Sequence, residues 1–343
     1  MTTFDPVRPA GGRLRVAIVG AGDISQYHLA AWRKLAAVEL CAVCDLDETR
    51  ARARAEAFRI PHVYTNVTAM LADERLDALD IATWRETHAA LIRLAADRGV
   101  HVLCQKPLTP ALAQAEALAR EVAGRVRLMV HENRRFAPHF RTIRRWIEEG
   151  RIGEVRQCVM TMHRSAFLKG ADGKRAAVER APYMAREPRL LIAEVFIHQL
   201  DVLRFLLGPL LVVAARKRHT EPDMPGETLA TILLETSNHA PVVLAGSMVA
   251  PGYGTAALPA DRLEIIGARA SIVLDENGLE LRGPDPERQP VDFKAAYQLC
   301  FDRAIAQFVQ CLLTGSPFET EVADNLETLR LVEDAYALSS AAR

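Results

Sequence analysis

Arg15-Val16-Ala17-Ile18-Val19-Gly20-Ala21-Gly22-Asp23-Ile24-Ser25 decides the fold of this chain. Residues 16–19 are the unbroken apolar run of a parallel strand buried on both faces, and the run stops at a glycine turn. Residues 25–32 then bring good helix formers, with apolar positions at Ile24, Leu29 and Trp32, so the turn opens directly into a helix. Backbone amides at such a helix start point at a pyrophosphate, and glycine lets the phosphate approach. Ser25 stands where G-x-G-x-x-G has its third glycine, and a small side chain still permits close helix–strand packing. A second apolar strand, 38–44, ends in Asp45, about 20 residues past that position, where a carboxylate can hold both ribose hydroxyls. The stretch reads as a dinucleotide site.

The whole composition agrees with a soluble globular protein. At 343 residues the chain is long for one core, so two domains are expected. Lys plus Arg and Asp plus Glu each total 43, and this formal neutrality offers nothing to nucleic acid or to an anionic membrane. Residues 1–12 lack the apolar segment of a signal peptide and read as a loose tail. The most apolar region, 190–215, is broken by Glu194, His198, Asp201 and Arg204, which argues against a membrane span. The expected location is the cytoplasm. Cys41 and Cys44 form a C-x-x-C inside a strand, where residues three apart face opposite sides. They and the four scattered cysteines therefore read as small buried hydrophobes, neither a zinc site nor a redox pair.

Beyond Asp45 the pattern alternates. Helices are expected at 48–58, 68–72 and 88–98, the last closed by Gly99, and strands at 63–64, 76–83, 100–104 and 127–130. This is an α/β pattern, a doubly wound parallel sheet of Rossmann type, whose ligand lies outside the carboxyl ends of the strands. Arg50 and Arg52 could hold an adenosine 2′-phosphate, but Asp45 and Asp47 would repel it, so NAD is favoured over NADP. The strand ending at Cys104 delivers Gln105-Lys106-Pro107 to that same edge, with the Lys106–Pro107 bond cis or trans. A lysine there either partners a developing alkoxide, carries a proton, or is simply solvated. His131-Glu132-Asn133-Arg134-Arg135-Phe136 is a further polar cluster at a strand end.

With these residues in view the chain resembles the Gfo/Idh/MocA oxidoreductases, the glucose-fructose oxidoreductase, inositol dehydrogenase and rhizopine-catabolism type. The resemblance covers nearly the whole chain. It is carried by Gly20-Ala21-Gly22 with Asp45, Ile81-Ala82-Thr83 followed by His88, residues 101–107 ending in Gln105-Lys106-Pro107, and Asn133-Arg134-Arg135-Phe136-Ala137-Pro138. Residues 150–155 (Gly-Arg-Ile-Gly-Glu-Val) and His198-Gln-Leu-Asp201 leading to Leu207-Gly208 complete it. It implies an NAD-binding domain at 13–133. A substrate-binding and oligomerisation domain at 134–343 would follow, carrying a large, mostly antiparallel open-faced sheet and forming a homodimer or homotetramer through it. The cofactor set expected from motif and resemblance together is Gly20, Gly22, Asp23, Ile24, Asp45, Thr83, His88 and Lys106, and no metal ligands are expected.

Two departures stand out. Gln105 replaces the family's glutamate, removing a negative charge beside Lys106, which should let the lysine release its proton more easily. Around His198 the family's glycine-rich run is absent: Glu194 stands for an aspartate and Phe196 for a glycine, so a differently shaped pocket is expected.

In the second half, residues 165–189 read as a long loop used as a lid or binding element, or left disordered. Lys169, Lys174, Arg175, Arg180, Arg186 and Arg189 outnumber its acids, which suits an acidic substrate. Asn133, Arg135, Tyr183 and Arg186 are the candidate substrate residues. Residues 190–207 read as one buried helix, with Glu194 and His198 at i, i+4 on one face. A carboxylate beside an imidazole orients the ring and stabilises its protonated form. Such a pair serves catalysis or merely fixes the helix, and the company of Lys106 favours catalysis. Asp201 matches the family's aspartate or pairs with Arg204. Strands at 212–218, 228–235, 242–249 and 263–266, a hairpin at 275–278 and helices at 297–313 and 322–339 complete the reading.

The expected activity is hydride transfer between NAD and the CH–OH carbon of a sugar, polyol or sugar-acid-like small molecule. His198, Glu194 and Lys106 are the catalytic candidates, and His198 and Lys106 are exchangeable in role. The alternatives are glycoside cleavage or elimination with transient use of NAD, and a non-catalytic NAD-binding regulator.

Overall fold

The computed structural model describes residues 5–255 and 261–341, and its contacts divide the chain into two units. One unit is Met1–Asn133 with Gln298–Glu327; the other is Arg134–Tyr297 with Thr328–Arg343.

The first unit holds six parallel strands in the order β3-β2-β1-β4-β5-β6. These are β1 (Leu14–Val19), β2 (Val38–Cys44), β3 (His62–Tyr64), β4 (Ala78–Ile81), β5 (His101–Gln105) and β6 (Leu128–His131). The expected Rossmann sheet is therefore present. Its helices are α1 (Ser25–Trp32), α2 (Glu48–Phe58), α3 (Val67–Asp73), α4 (Arg85–Ala96) and α5 (Leu112–Val122). Local chemistry sets several boundaries. Asp47 caps α2 by accepting from the Thr49 and Arg50 amides, and Arg59 ends it in the left-handed conformation. Asn66 caps α3 through the Ala69 amide. The helix α5 is an addition to the elements expected from sequence, although its buried residues Ala115, Leu118 and Val122 follow helical spacing.

Residues Gln298–Glu327 fold with this unit, whereas the sequence reading assigns everything from 134 onward to the second domain. The physical reason is polar as well as apolar. Buried Arg127 donates to the carbonyls of Cys311 and Ser316 and lies 4.0 Å over the Phe318 ring. Thr320 Oγ1 donates to Val130 O at 2.6 Å, and Lys34 pairs with Asp302.

The second unit contains α6 (Pro138–Glu148), β7 (Val155–His163), α7 (Ala176–Arg180), a 3-10 turn (Pro182–Arg186), a π-helical turn (Leu191–Phe196) and α8 (Ile197–Leu207). Then come β8 (Leu210–Arg218), β9 (Leu229–Thr236), β10 (Pro241–Ser247), β11 (Asp261–Gly267), β12 (Ser271–Asp275), β13 (Gly278–Arg282) and β14 (Glu287–Gln289). Helices α9 (Phe293–Thr314) and α10 (Val322–Ala341) each contribute residues to both units. The eight strands form one sheet in the order β14-β13-β12-β11-β7-β10-β9-β8, antiparallel except where β10 runs parallel to β7. In β9, Ala230, Ile232 and Leu234 are buried while Thr231 and Leu233 are exposed, the alternation of a sheet covered on one face.

Three expectations change here. The helix expected over 190–207 opens with a π turn, because buried Glu227 engages its start: its Oε1 accepts from the Ile192 amide at 2.9 Å and its carbonyl from the Leu191 amide. Residues 165–189 are not structureless, since α7 and the 3-10 turn lie within them. Arg135, expected to face substrate, is 4% exposed and grips the buried Asp201 carboxylate with two bonds, at 2.8 and 2.5 Å. Asp201 thus pairs with Arg135; Thr328 donates to Asp201 and accepts from Arg204. Arg135→Met leaves that carboxylate buried without its cation and is expected to cost about 3–5 kcal/mol of unfolding free energy in urea titration. Adding Asp201→Leu should return most of the loss, and an unchanged midpoint in the single variant would contradict the ion pair's structural role.

Candidate functional site

In the first unit the candidate residues gather at the carboxyl edge of the parallel sheet. Gly20 ends β1 with φ +100°, and a Cβ there would stand 2.4 Å from the Ala82 carbonyl oxygen, so only glycine fits. Its amide donates to Cys44 O, and the Ala82 amide donates to Val19 O, which clamps the turn between the ends of β2 and β4. Asp45 holds the turn from the side: Oδ2 accepts from the Ala21 amide at 2.6 Å and Oδ1 from the Asp47 amide at 2.9 Å. Asp23 accepts from Gln26, and Ile24 is the first residue of the helical run, with no side-chain cap on α1.

A residue that sequence reasoning missed completes the turn. Arg54, on α2, donates to Ser25 Oγ at 3.0 Å and to Gly22 O at 3.2 Å, while Ser25 Oγ donates to the same carbonyl. The two arginines considered as 2′-phosphate ligands are engaged otherwise, Arg50 with Asp47 and Arg52 with Glu48. The alternation Arg50-Ala-Arg52-Ala-Arg54 carries no sign of which one turns inward.

Gly22 differs from Gly20. Its φ is not positive, and a Cβ at Gly22 would meet nothing within 4 Å. The fold itself does not demand glycine there. Together with the uncapped α1 terminus and the Asp45 carboxylate, this fits a dinucleotide with its pyrophosphate against the turn.

Thr83 follows β4 with its hydroxyl 2.7 Å from that of Thr87, which itself donates to Trp84 O. His88, expected to contact cofactor, is fully buried and works from beneath. Its ring nitrogens lie 3.0 Å from Pro107 O and 3.1 Å from Thr83 O, and burial pushes its pKa down. The ring in that position spaces the loop after β4 from the loop after β5. Lys106 follows β5, half-buried, with a cis bond to Pro107 and its amide donating to Gln105 Oε1. Asn133, following β6, is buried.

In the second unit Glu194 sits in the π turn, buried, and accepts from the Tyr183 hydroxyl at 3.0 Å. Every residue from Leu190 to Leu203 is buried except His198, which is half-buried. Phe196, expected to reshape a pocket, is wholly buried and lies where a Cβ on Gly246 would stand 2.8 Å from its ring, so the bulk gained at one position is absorbed by glycine at another. Arg186 is exposed.

Four of the six basic residues of 165–189 are paired, three of them with acids distant in sequence. Lys169 pairs with Asp223, Lys174 with Glu179, Arg175 with Glu221 and Asp223, and Arg189 with Glu333. A different cationic group emerges around Arg164, which sequence reasoning did not single out. It is buried, and burial first, then the guanidiniums of Arg134 and Arg180, push its pKa down to about 10. No cluster of His, Cys, Asp or Glu suited to a metal occurs among the described residues.

Comparison with known proteins agrees with this geometry. Residues 14–132 match the family model described as an oxidoreductase family with an NAD-binding Rossmann fold, and residues 140–273 match the GFO/IDH/MocA C-terminal domain. D-apiose dehydrogenase of Paraburkholderia graminis is 35% identical over 337 residues, covering 94% of this chain and 87% of that protein. Inositol 2-dehydrogenase of Rhizobium meliloti is 28% identical, covering 94% and 96%. An oxidoreductase from Agrobacterium radiobacter, solved in complex with NAD+, L-tartaric acid and magnesium, superposes with a TM-score of 0.88 at 30% identity, covering 96% of this chain and 97% of that one. Two matched domain models in the expected order, and likeness along almost the full length, make this chain a member of the Gfo/Idh/MocA family of NAD-dependent oxidoreductases.

Proposed function

We propose that this enzyme oxidises the CH–OH carbon of a sugar, polyol or sugar acid, with His198 as proton acceptor and Lys106 as the cation that steadies the oxygen. The observation that carries the reading is that His198 is only half-buried where every other residue from Leu190 to Leu203 is buried. A histidine that exchanges protons with a ligand needs such access. Glu194, held by Tyr183, supplies a carboxylate on the preceding turn that favours the protonated ring. Bound NAD supplies the hydride acceptor, with Gly20, Gly22, Asp23, Ile24, Asp45 and Thr83 as its contacts, and His88 supporting them from below. The substrate class draws on the apiose and inositol dehydrogenases among the relatives. Arg164 with Arg134 and Arg180 favours a substrate bearing a carboxylate, and Tyr183, Arg186 and Asn133 are the further substrate-side candidates.

Assembly into a homodimer or homotetramer is proposed through the outer face of the eight-stranded sheet, where Leu211 is 62% exposed beside exposed Val213 and Leu233. A cytoplasmic location is proposed from the six buried cysteines, all free. No helix among the described residues is long and apolar enough to cross a membrane.

A screen of sugars, inositols and sugar acids for formation of reduced nicotinamide identifies the substrate. With it in hand, His198→Asn and Lys106→Met are each expected to lower kcat by about 10²–10⁴ while NAD still binds; an unaffected kcat in either removes that residue from the chemistry. Gly22→Ala should keep the wild-type thermal midpoint yet weaken NAD binding roughly tenfold or more, measured by calorimetric titration. Equal NAD affinity would mean the pyrophosphate does not pass over Gly22. The double variant Leu211→Lys/Leu233→Lys is expected to sediment as a monomer where the wild type does not, and an unchanged sedimentation coefficient would place the interface elsewhere.

A further inference from the structure

Behind Lys106 the first unit buries a chain of polar groups that the family's glutamate could not complete. Asp80 on β4 and His28 on α1 are both fully buried, with Asp80 Oδ2 2.8 Å from His28 Nδ1 and 2.6 Å from the Trp32 indole nitrogen that donates to it. His28 Nε2 lies 2.8 Å from Gln105 Nε2, and His131 Nδ1 lies 3.3 Å from that same amide nitrogen. Gln105 Oε1 accepts from the Lys106 backbone amide at 3.1 Å. The rings of His28 and His131 are 4.4 Å apart, and Phe301 closes against both.

The directions of these bonds follow from what each group can do. A backbone N–H only donates, so the Gln105 atom facing Lys106 is the oxygen, and its NH₂ faces the two histidines. An Asp80 carboxylate only accepts, so His28 carries its proton on Nδ1 and leaves Nε2 bare. One amide nitrogen with two hydrogens then meets two bare ring nitrogens. A glutamate in place of Gln105 has oxygen on both sides and offers no hydrogen; His28 would have to take a second proton to meet it.

We propose that Asp80, His28 and Gln105 form a buried positioning relay that sets the backbone of the catalytic lysine, and that glutamine is specified at this position because the neutral His28 ring accepts. The charged and titratable groups in contact with His28 are Asp80 from β4 and His131 from β6, and the Phe301 ring packs edge-on against it. The relay deepens the reading of Lys106 given above, and it makes a statement about His28 that does not depend on that reading.

The test is ¹⁵N NMR of histidine-labelled, NAD-loaded wild type and Gln105→Glu, with the His28 signal assigned through His28→Asn. In the wild type His28 is expected with a protonated Nδ1 and a bare Nε2. In Gln105→Glu both nitrogens are expected to be protonated, since the Asp80 carboxylate and the introduced one flank the ring and both only accept. Loss of that second proton as pH rises leaves the introduced carboxylate buried without a donor. The variant's kcat should therefore fall about tenfold, the loss deepening with rising pH, with the KM for NAD unchanged. A wild-type ring protonated on Nε2, or a variant with the wild-type tautomer and a superposable pH profile, overturns the relay. Should Gln105→Glu not fold, the wild-type spectrum alone decides. Full activity in Lys106→Met would instead remove the lysine's role and leave the tautomer result standing.

Discussion

The close approach of the β1 turn to the end of β4 is the constraint from which the cofactor edge follows. Gly20 has no space for a side chain because the Ala82 carbonyl stands in it. That contact brings Asp45 within reach of the Ala21 amide and aims α1 across the sheet. Once α1 is so aimed, His28 and Trp32, one helical turn apart, both land on Asp80. From His28 the contact passes to Gln105, and from Gln105 to the backbone of Lys106. The glycine turn and the lysine, 86 positions apart, thus answer to one packing decision.

The second unit solves a similar problem with a buried carboxylate. Glu227 takes the first amides of the π turn and a bond from the Tyr336 hydroxyl at 2.5 Å, while burial, then the Glu227 charge, pushes that phenol's pKa far up. Gly226 lets this segment come close: a Cβ there would overlap Leu190. The π turn widens the helix just before His198, and Asp201 one turn later is tied to Arg135. Both flanks of His198 are thus fixed by buried polar contacts.

Much of this is legible in the sequence because it is local. Strand and helix periods, the Gly20–Gly22 turn and Asp45 place the strands of the first sheet to within two residues of their ends, and α2 and β2 at their observed bounds. What stays hidden depends on partners far along the chain. Arg175 and Lys169 look like surplus charge because Glu221 and Asp223 lie some fifty residues on. Arg135 looks available because Asp201 has a nearer cation along the chain in Arg204. Arg127 needs carbonyls from Cys311 and Ser316, which is why the chain returns to the first unit. Charge, read along a sequence, counts groups; only the fold says which ones have already met.

A buried polar relay beneath Lys106 is a poor way to gain stability, since desolvating Asp80 and two imidazoles offsets most of what their bonds return. Apolar packing of equal volume would hold β4, β5 and α1 together as well. What it would not do is fix direction: a methyl group tolerates rotation, whereas a donor facing an acceptor has one productive arrangement and a costly alternative. A side chain proposed to meet a reacting oxygen profits from that intolerance. Gln105 is then not a loss of the family's charge but the residue whose two hydrogens and one oxygen match what His28, His131 and the Lys106 amide leave open.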